Sequence, residues 1–153
     1  MSEYYSNADE VKIQKASSEQ FPRLSQLWLD TSLSAHSFID SDYWEANQQA
    51  METRHLPGSE VYVCTENGEI VGFAAMSENH LAALFVDEFC QGRGYGRLML
   101  DYVKRDRDTV TLNVFVQNAK AAEFYRKNGF QIEREQTDEA TSEREYVMVW
   151  KQT

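Results

Sequence analysis

Leu81-Ala82-Ala83-Leu84-Phe85-Val86 is followed, after four intervening residues, by Gln91-Gly92-Arg93-Gly94-Tyr95-Gly96, and this pair decides what kind of chain it is. A strand is read from His80 to Val86, apolar at every position from Leu81 on, as in a strand covered on both faces in the middle of a sheet. Glycine then recurs at every second position, and "RLMLDYVKRD", Arg97 to Asp106, sets Leu98, Met99, Tyr102 and Val103 at helical spacing. The order is strand, glycine turn, helix. Bare backbone lets a ligand approach closely, and a helix start offers unpaired N–H groups and a positive dipole end. An anion suits such a place, a phosphate or pyrophosphate above all. A tight turn alone would use the same glycines.

Two familiar phosphate loops do not fit. A P-loop ends in Gly-Lys-Ser/Thr, whereas Gly96 leads into Arg97 and Leu98. A dinucleotide fingerprint needs a glycine three residues after its second one, where this chain has Arg97.

The length of 153 residues predicts one domain, with residues 1–10 as an N-terminal tail and 11–153 as the folded unit. A 42% hydrophobic and 26% charged chain has the balance of a soluble globular protein. No stretch reaches the ~18 apolar residues of a membrane span, and "MSEYYSNADE" lacks the basic and apolar regions of a secretory signal. The expectation is a cytoplasmic protein without a membrane or nucleic-acid partner, acting as a monomer or homodimer. A net charge of −10 works against phosphate-backbone binding and mildly favours a cationic substrate, although surplus acid also serves solubility. Cys64 and Cys90 are too few for a disulfide framework, and His36, His55 and His80 show no metal-ligand spacing, so no metal is expected.

Further strands are read at Val11–Ala16, Glu60–Glu66, Glu69–Met76, Thr111–Val116, Phe130–Gln136 and Glu145–Trp150. Asn67-Gly68 turns the second into the third as a hairpin. Helices are read from Ser17 or Ser18 through Asp30, over Tyr43–Arg54, and over Asn118–Asn128, the last capped by Asn118 and ended by Gly129. The fold class is therefore α/β (α+β), a mixed sheet flanked by helices.

Gln91-x-x-Gly94-x-Gly96 after "LAALFV", together with "NAKAAEFYRKNGF" (Asn118 to Phe130) after "LNVFV", resembles the GNAT superfamily of acyl-CoA-dependent N-acetyltransferases. Element order agrees over nearly the whole chain. Within the superfamily, "LWLDTSLSAHSFIDSDYW" and "EYVMVW" look like small bacterial members, some of them protein lysine acetyltransferases. The resemblance implies a mostly antiparallel sheet of about seven strands with about four helices, strands 4 and 5 splayed apart. It implies an acetyl group passed from acetyl-CoA to a primary amine, a lysine side chain, a protein N-terminus or a small amine, by direct attack in a ternary complex. A non-catalytic acyl-CoA-binding or sensing module is the alternative.

By the same resemblance, Gln91, Gly92, Arg93, Gly94, Tyr95 and Gly96 hold the pyrophosphate, and the main chain of Leu84, Phe85 and Val86 pairs with the cofactor arm. The Val86 N–H is the oxyanion donor, Asn118 contacts the arm, and Tyr125 stands by the thioester sulfur. Asn118 and Tyr125 lie seven residues apart, two turns on one helix face and ~10 Å along its axis. Asn118 as a plain cap and Tyr125 as plain core remain open. A lysine-like amine with a pKa of ~10.4 is neutral in roughly one molecule in 2,500 at pH 7, so something must take its proton. His80, or Glu78 two residues before it, is expected as that base, and His36, Phe38 and Trp44 as the acceptor pocket. Cys90 is expected to be a bystander, because direct transfer needs no nucleophile.

Overall fold

The computed structural model describes residues 10–153; the predicted tail, apart from Glu10, lies outside the described residues. Seven strands form one sheet in the order β1-β2-β3-β4-β5-β7-β6. They are β1 (Val11–Lys15), β2 (Glu60–Glu66), β3 (Glu69–Ser77), β4 (His80–Val86), β5 (Thr109–Phe115), β6 (Gln131–Thr137) and β7 (Arg144–Lys151). All neighbouring pairs are antiparallel except β4 with β5. Four α-helices cover the sheet: α1 (Phe21–Ala35), α2 (Ser41–Ala50), α3 (Tyr95–Lys104) and α4 (Ala119–Lys127). No helix among the described residues is long and apolar enough to cross a membrane.

Period-2 alternation sorts the strand residues between two cores. On one face, Leu24, Leu27, Trp28 and Trp44 of α1 and α2 pack against Val61, Val63, Phe73, Ala75 and Ala83. On the other, Met99, Leu100 and Val103 of α3 and Tyr125 of α4 pack against Cys64, Met76, Leu81, Val110, Leu112, Val114 and Met148. Burial pushes the Cys64 thiol up to about 11, so this cysteine is an inert core residue.

Two helix ends differ from the sequence reading. α1 continues past Asp30 to Ala35, because Thr31 returns its hydroxyl to the Leu27 carbonyl (2.7 Å) and is buried there with Ser32. α2 runs from Ser41, where Asp40 caps the Asp42 N–H (2.9 Å), to Ala50. Past Ala50 the chain widens into an i→i+5 turn in which the Leu56 N–H reaches the Met51 carbonyl. The hairpin at Asn67-Gly68 forms as read, with both residues at positive φ.

Candidate active site

β4 and β5 run parallel but are in register only at His80↔Thr111 and Leu81↔Leu112, after which they part. Their carboxyl ends and the loops that follow, the glycine loop and Val116–Asn118, therefore surround one crevice, the general place for ligands in open α/β sheets. A cavity of about 1350 Å³ opens there. That exceeds the ~300–1,000 Å³ of a drug-sized pocket and leaves room for an extended ligand and a second substrate.

The main chain of β4 supplies the crevice wall. The Asp87 N–H donates to the Val71 carbonyl of β3 (2.8 Å), and Phe85 pairs with Phe73. Antiparallel alternation then turns the N–H and C=O of residues 85 and 87 toward β3 and those of Leu84 and Val86 toward the gap left by β5. Phe85, expected to lend its main chain to the arm, instead turns it toward β3, although the residue still lines the cavity. A register shift opposite Ala75 and Met76 makes this possible. Upstream of it, β4 uses the Asn79 carbonyl for the Thr111 N–H of β5, and one extra residue reverses the alternation. The Gln91 side chain reaches back across the loop and donates to the Val86 carbonyl (3.1 Å), leaving the Val86 N–H as the free donor.

In the glycine loop, Gly92 and Gly94 have φ of +83° and +89°, and Gly94 is the N-cap of α3. The Leu98 N–H closes the first turn on the Gly94 carbonyl (3.0 Å), so the preceding N–H groups at the helix start point outward. Gly96 plays a different part: a Cβ there would come within 3.1 Å of the Phe124 ring, so this glycine lets α3 approach α4. Arg93 lies 3.8 Å from Glu66, and Arg97 lines the cavity.

From β5 the chain turns at Asn118, whose side-chain oxygen caps the Ala121 N–H (3.2 Å). That bond fixes the amide orientation, so its NH₂ donates to the Nε2 atom of His36 (3.1 Å). Seven residues on, Tyr125 also lines the cavity, packed against Phe124 and Phe130. Burial pushes its phenol well above the ordinary range, so it stays protonated.

The expected acceptor residues do assemble. His36 stacks on Trp44 (5.2 Å between centroids, 26°) and meets Phe38 and Phe115 edge to face. His36 and Trp44 line the cavity, while Phe38 packs behind them. Nδ1 of His36 and Nε1 of Trp44 are buried with no hydrogen-bond partner. Since Nε2 of His36 accepts from Asn118, the ring is neutral, with its proton on Nδ1. Burial lowers its pKa to about 4. The unfolded chain binds this proton near 6.5, so the stabilisation is complete above 6.5 and is lost as the pH falls toward 4. It amounts to about 3 kcal/mol. Urea midpoints at pH 7.5, 5.5 and 4.5 should fall steeply for the wild type and less for His36→Phe; parallel curves would contradict the assignment.

His80 and Glu78 stand elsewhere. His80 is half-buried where β4 and β5 still pair, its Nδ1 atom 2.8 Å from the Thr111 hydroxyl oxygen, and burial lowers its pKa. Glu78 occupies the β3–β4 turn at φ +53°. Neither is among the residues that line the cavity. Asn113, Phe115, Asp138 and Glu145, which sequence reasoning missed, do line it. For Asn113 and Glu145 the signal was present: on β5 Thr111 and Asn113 set a polar face against the apolar Val110, Leu112 and Val114, and on β7 Glu145 leads a face continued by Val147.

Residues 57–132, about half of the chain, match the family described as "Acetyltransferase (GNAT) domain". The chain belongs to the GNAT acetyltransferase superfamily. Among GNAT proteins it is similar to the peptidyl-lysine N-acetyltransferase YiaC of Escherichia coli K12, 29% identical, the match covering 90% of this chain and 95% of YiaC. The solution structure of apo-form YjaB from Escherichia coli superposes with a TM-score of 0.82 at 25% identity, covering 92% of this chain and 97% of YjaB. The GNAT fold is shared as well with PaiA N-acetyltransferase from Thermoplasma acidophilum, solved in complex with coenzyme A (TM-score 0.77, 20% identity, 94% and 99% covered).

Proposed function

We propose that this GNAT protein transfers acetyl from acetyl-CoA to a primary amine, with a protein lysine side chain as the favoured acceptor. One observation carries the proposal. The Leu84 and Val86 main chain faces the gap between β4 and β5 with the glycine loop at one end and Tyr125 alongside. Groups that hydrogen-bond an extended amide-bearing arm, hold a pyrophosphate and attend a sulfur thus line one crevice. The lysine preference is supported by the similarity to YiaC, named a peptidyl-lysine N-acetyltransferase.

Bound acetyl-CoA would supply an activated carbonyl on a thiol leaving group. The N–H groups of Gly92 to Gly96 hold the pyrophosphate at the α3 start, where the helix dipole favours anions, with Gln91, Arg93 and Tyr95 framing the loop. Asn118 and the Leu84 main chain orient the arm. The Val86 N–H donates to the oxyanion formed on attack. Tyr125 donates a hydrogen bond to the departing sulfur. A free phenol, at ~10, is a weaker acid than a thiol, at ~8.5, so outright transfer is uphill in water. His36 and Trp44 wall the acceptor side, with Phe38 supporting them.

The test is thiol release from acetyl-CoA with lysine peptides, N-terminal peptides and polyamines. Saturable release dependent on an amine is expected, fastest with lysine peptides. Coenzyme A binding without release on any amine would favour a non-catalytic acyl-CoA binder instead.

A further inference from the structure

Glu145 is the feature of the cavity that cofactor binding leaves unexplained. It lies on β7, opposite Phe115 of β5 and Gln136 of β6, on the sheet face covered by α1 and α2. It is 8% exposed yet lines the cavity. One carboxylate oxygen, Oε2, accepts from two neutral amides, Gln136 Nε2 at 2.7 Å and Asn113 Nδ2 at 3.3 Å. Among the described residues the other, Oε1, accepts no hydrogen bond, and it is not among the sealed, unpaired polar atoms. Among the described residues no lysine, arginine or histidine nitrogen lies within 4.0 Å of either oxygen. A buried carboxylate held by neutral donors with one oxygen facing a cavity has an unmet demand for a cation. The rest of the wall suits the carbon chain of such a cation, with Tyr43, Trp44 and Phe115 lining the same space.

Resting on the N-acetyltransfer reading, we propose that Glu145 receives the ammonium group of a cationic acceptor and takes its proton, making the protein selective for strongly basic alkyl amines such as lysine side chains. The ammonium gives one proton to the Glu145 carboxylate, and the freed lone pair forms the C–N bond at the thioester carbonyl. As the C–S bond breaks, Tyr125 hydrogen-bonds the departing sulfur and relays to it the second proton of the amide-forming nitrogen, so that no phenolate forms. The Glu145 proton then leaves to solvent, so the products are amide, free thiol and one proton. His80 belongs to the surroundings of this group: the negative charge of Glu145 favours its protonated form, opposing the effect of burial.

The experiment compares wild type with Glu145→Gln on two acceptors at pH 7.5, a lysine peptide and the same peptide carrying an aminooxy group, which is already neutral. Coenzyme A affinity is measured by calorimetry on both proteins. Glu145→Gln should lower kcat/KM for the lysine peptide about 10²-fold, change the aminooxy rate less than about threefold and leave coenzyme A binding as it was. Equal losses on both acceptors, or none on lysine, overturn the proposal while the N-acetyltransfer reading stands. A wild type that binds coenzyme A and acetylates neither acceptor overturns that reading instead. Should Glu145→Gln not bind coenzyme A, Glu145→Asp decides: withdrawing the carboxylate by one methylene should slow the lysine peptide alone, and unchanged rates overturn the proposal.

Discussion

Tyr125→Phe should lower kcat for amine acetylation by about 10²-fold while coenzyme A affinity stays within about twofold. The substitution removes one oxygen and keeps the ring, whose contacts with Phe124 (5.3 Å between centroids) and Phe130 (5.7 Å) secure α4 against the core. The fold therefore has no reason to change, and thermal stability should be equal or slightly higher. What disappears is the one donor that attends the sulfur as it leaves. A hydrogen bond made only as charge develops lowers kcat without weakening the ground-state complex. Pre-steady-state thiol release, with coenzyme A binding measured on the same preparation, separates the two quantities. A Tyr125→Phe enzyme as fast as wild type would show that the phenol serves packing alone.

Gly94→Val should weaken coenzyme A binding by about 30-fold, near 2 kcal/mol, with the fold retained. Room is not the obstacle, since a Cβ at Gly94 meets nothing within 4 Å. The obstacle is φ of +89°, which a β-branched L-residue adopts only at a cost of about 1–2 kcal/mol or more. The loop would relax toward negative φ and rotate the N–H groups at the start of α3 off the pyrophosphate. The core side chains of α3, Met99, Leu100 and Val103, lie farther along the helix and keep their contacts. Gly96→Val should do the reverse, harming stability through the Phe124 clash more than binding. Calorimetric titration with coenzyme A and a thermal melt on each variant distinguish the pair, and equal affinities for Gly94→Val and wild type would remove the anion role of the loop.

Local chemistry made much of this architecture legible. Asn67-Gly68 announces its hairpin because only residues tolerant of positive φ can turn there. His80 to Val86 reads as a central strand because both its faces are apolar, and Asn118 and Gly129 mark the two ends of α4 by their capping chemistry. The extension of α1 to Ala35 was hidden, because Thr31 and Ser32 look like a helix stop until the carbonyl of Leu27 is seen to take the Thr31 hydroxyl. Within the site, Asn118, Tyr125 and the glycine loop could be named from spacing and resemblance. On the acceptor side His36, Phe38 and Trp44 could be named but Glu145 could not: His80 looked catalytic as the titratable residue that opens the central strand, yet the bulge on β4 and its pairing with Thr111 keep it out of the cavity lining.

By itself, then, the amino-acid order determined which segments become strands and helices, where the chain bends on glycine, and the acetyl-transfer family it joins, because each rests on residues within a few positions of one another. Only the tertiary structure decided which main-chain groups of β4 are free and which carboxylates line the cavity. Those facts depend on a one-residue shift between β3 and β4 and on β7 lying next to β5, and no local pattern encodes a register or a neighbour some thirty residues away in the chain.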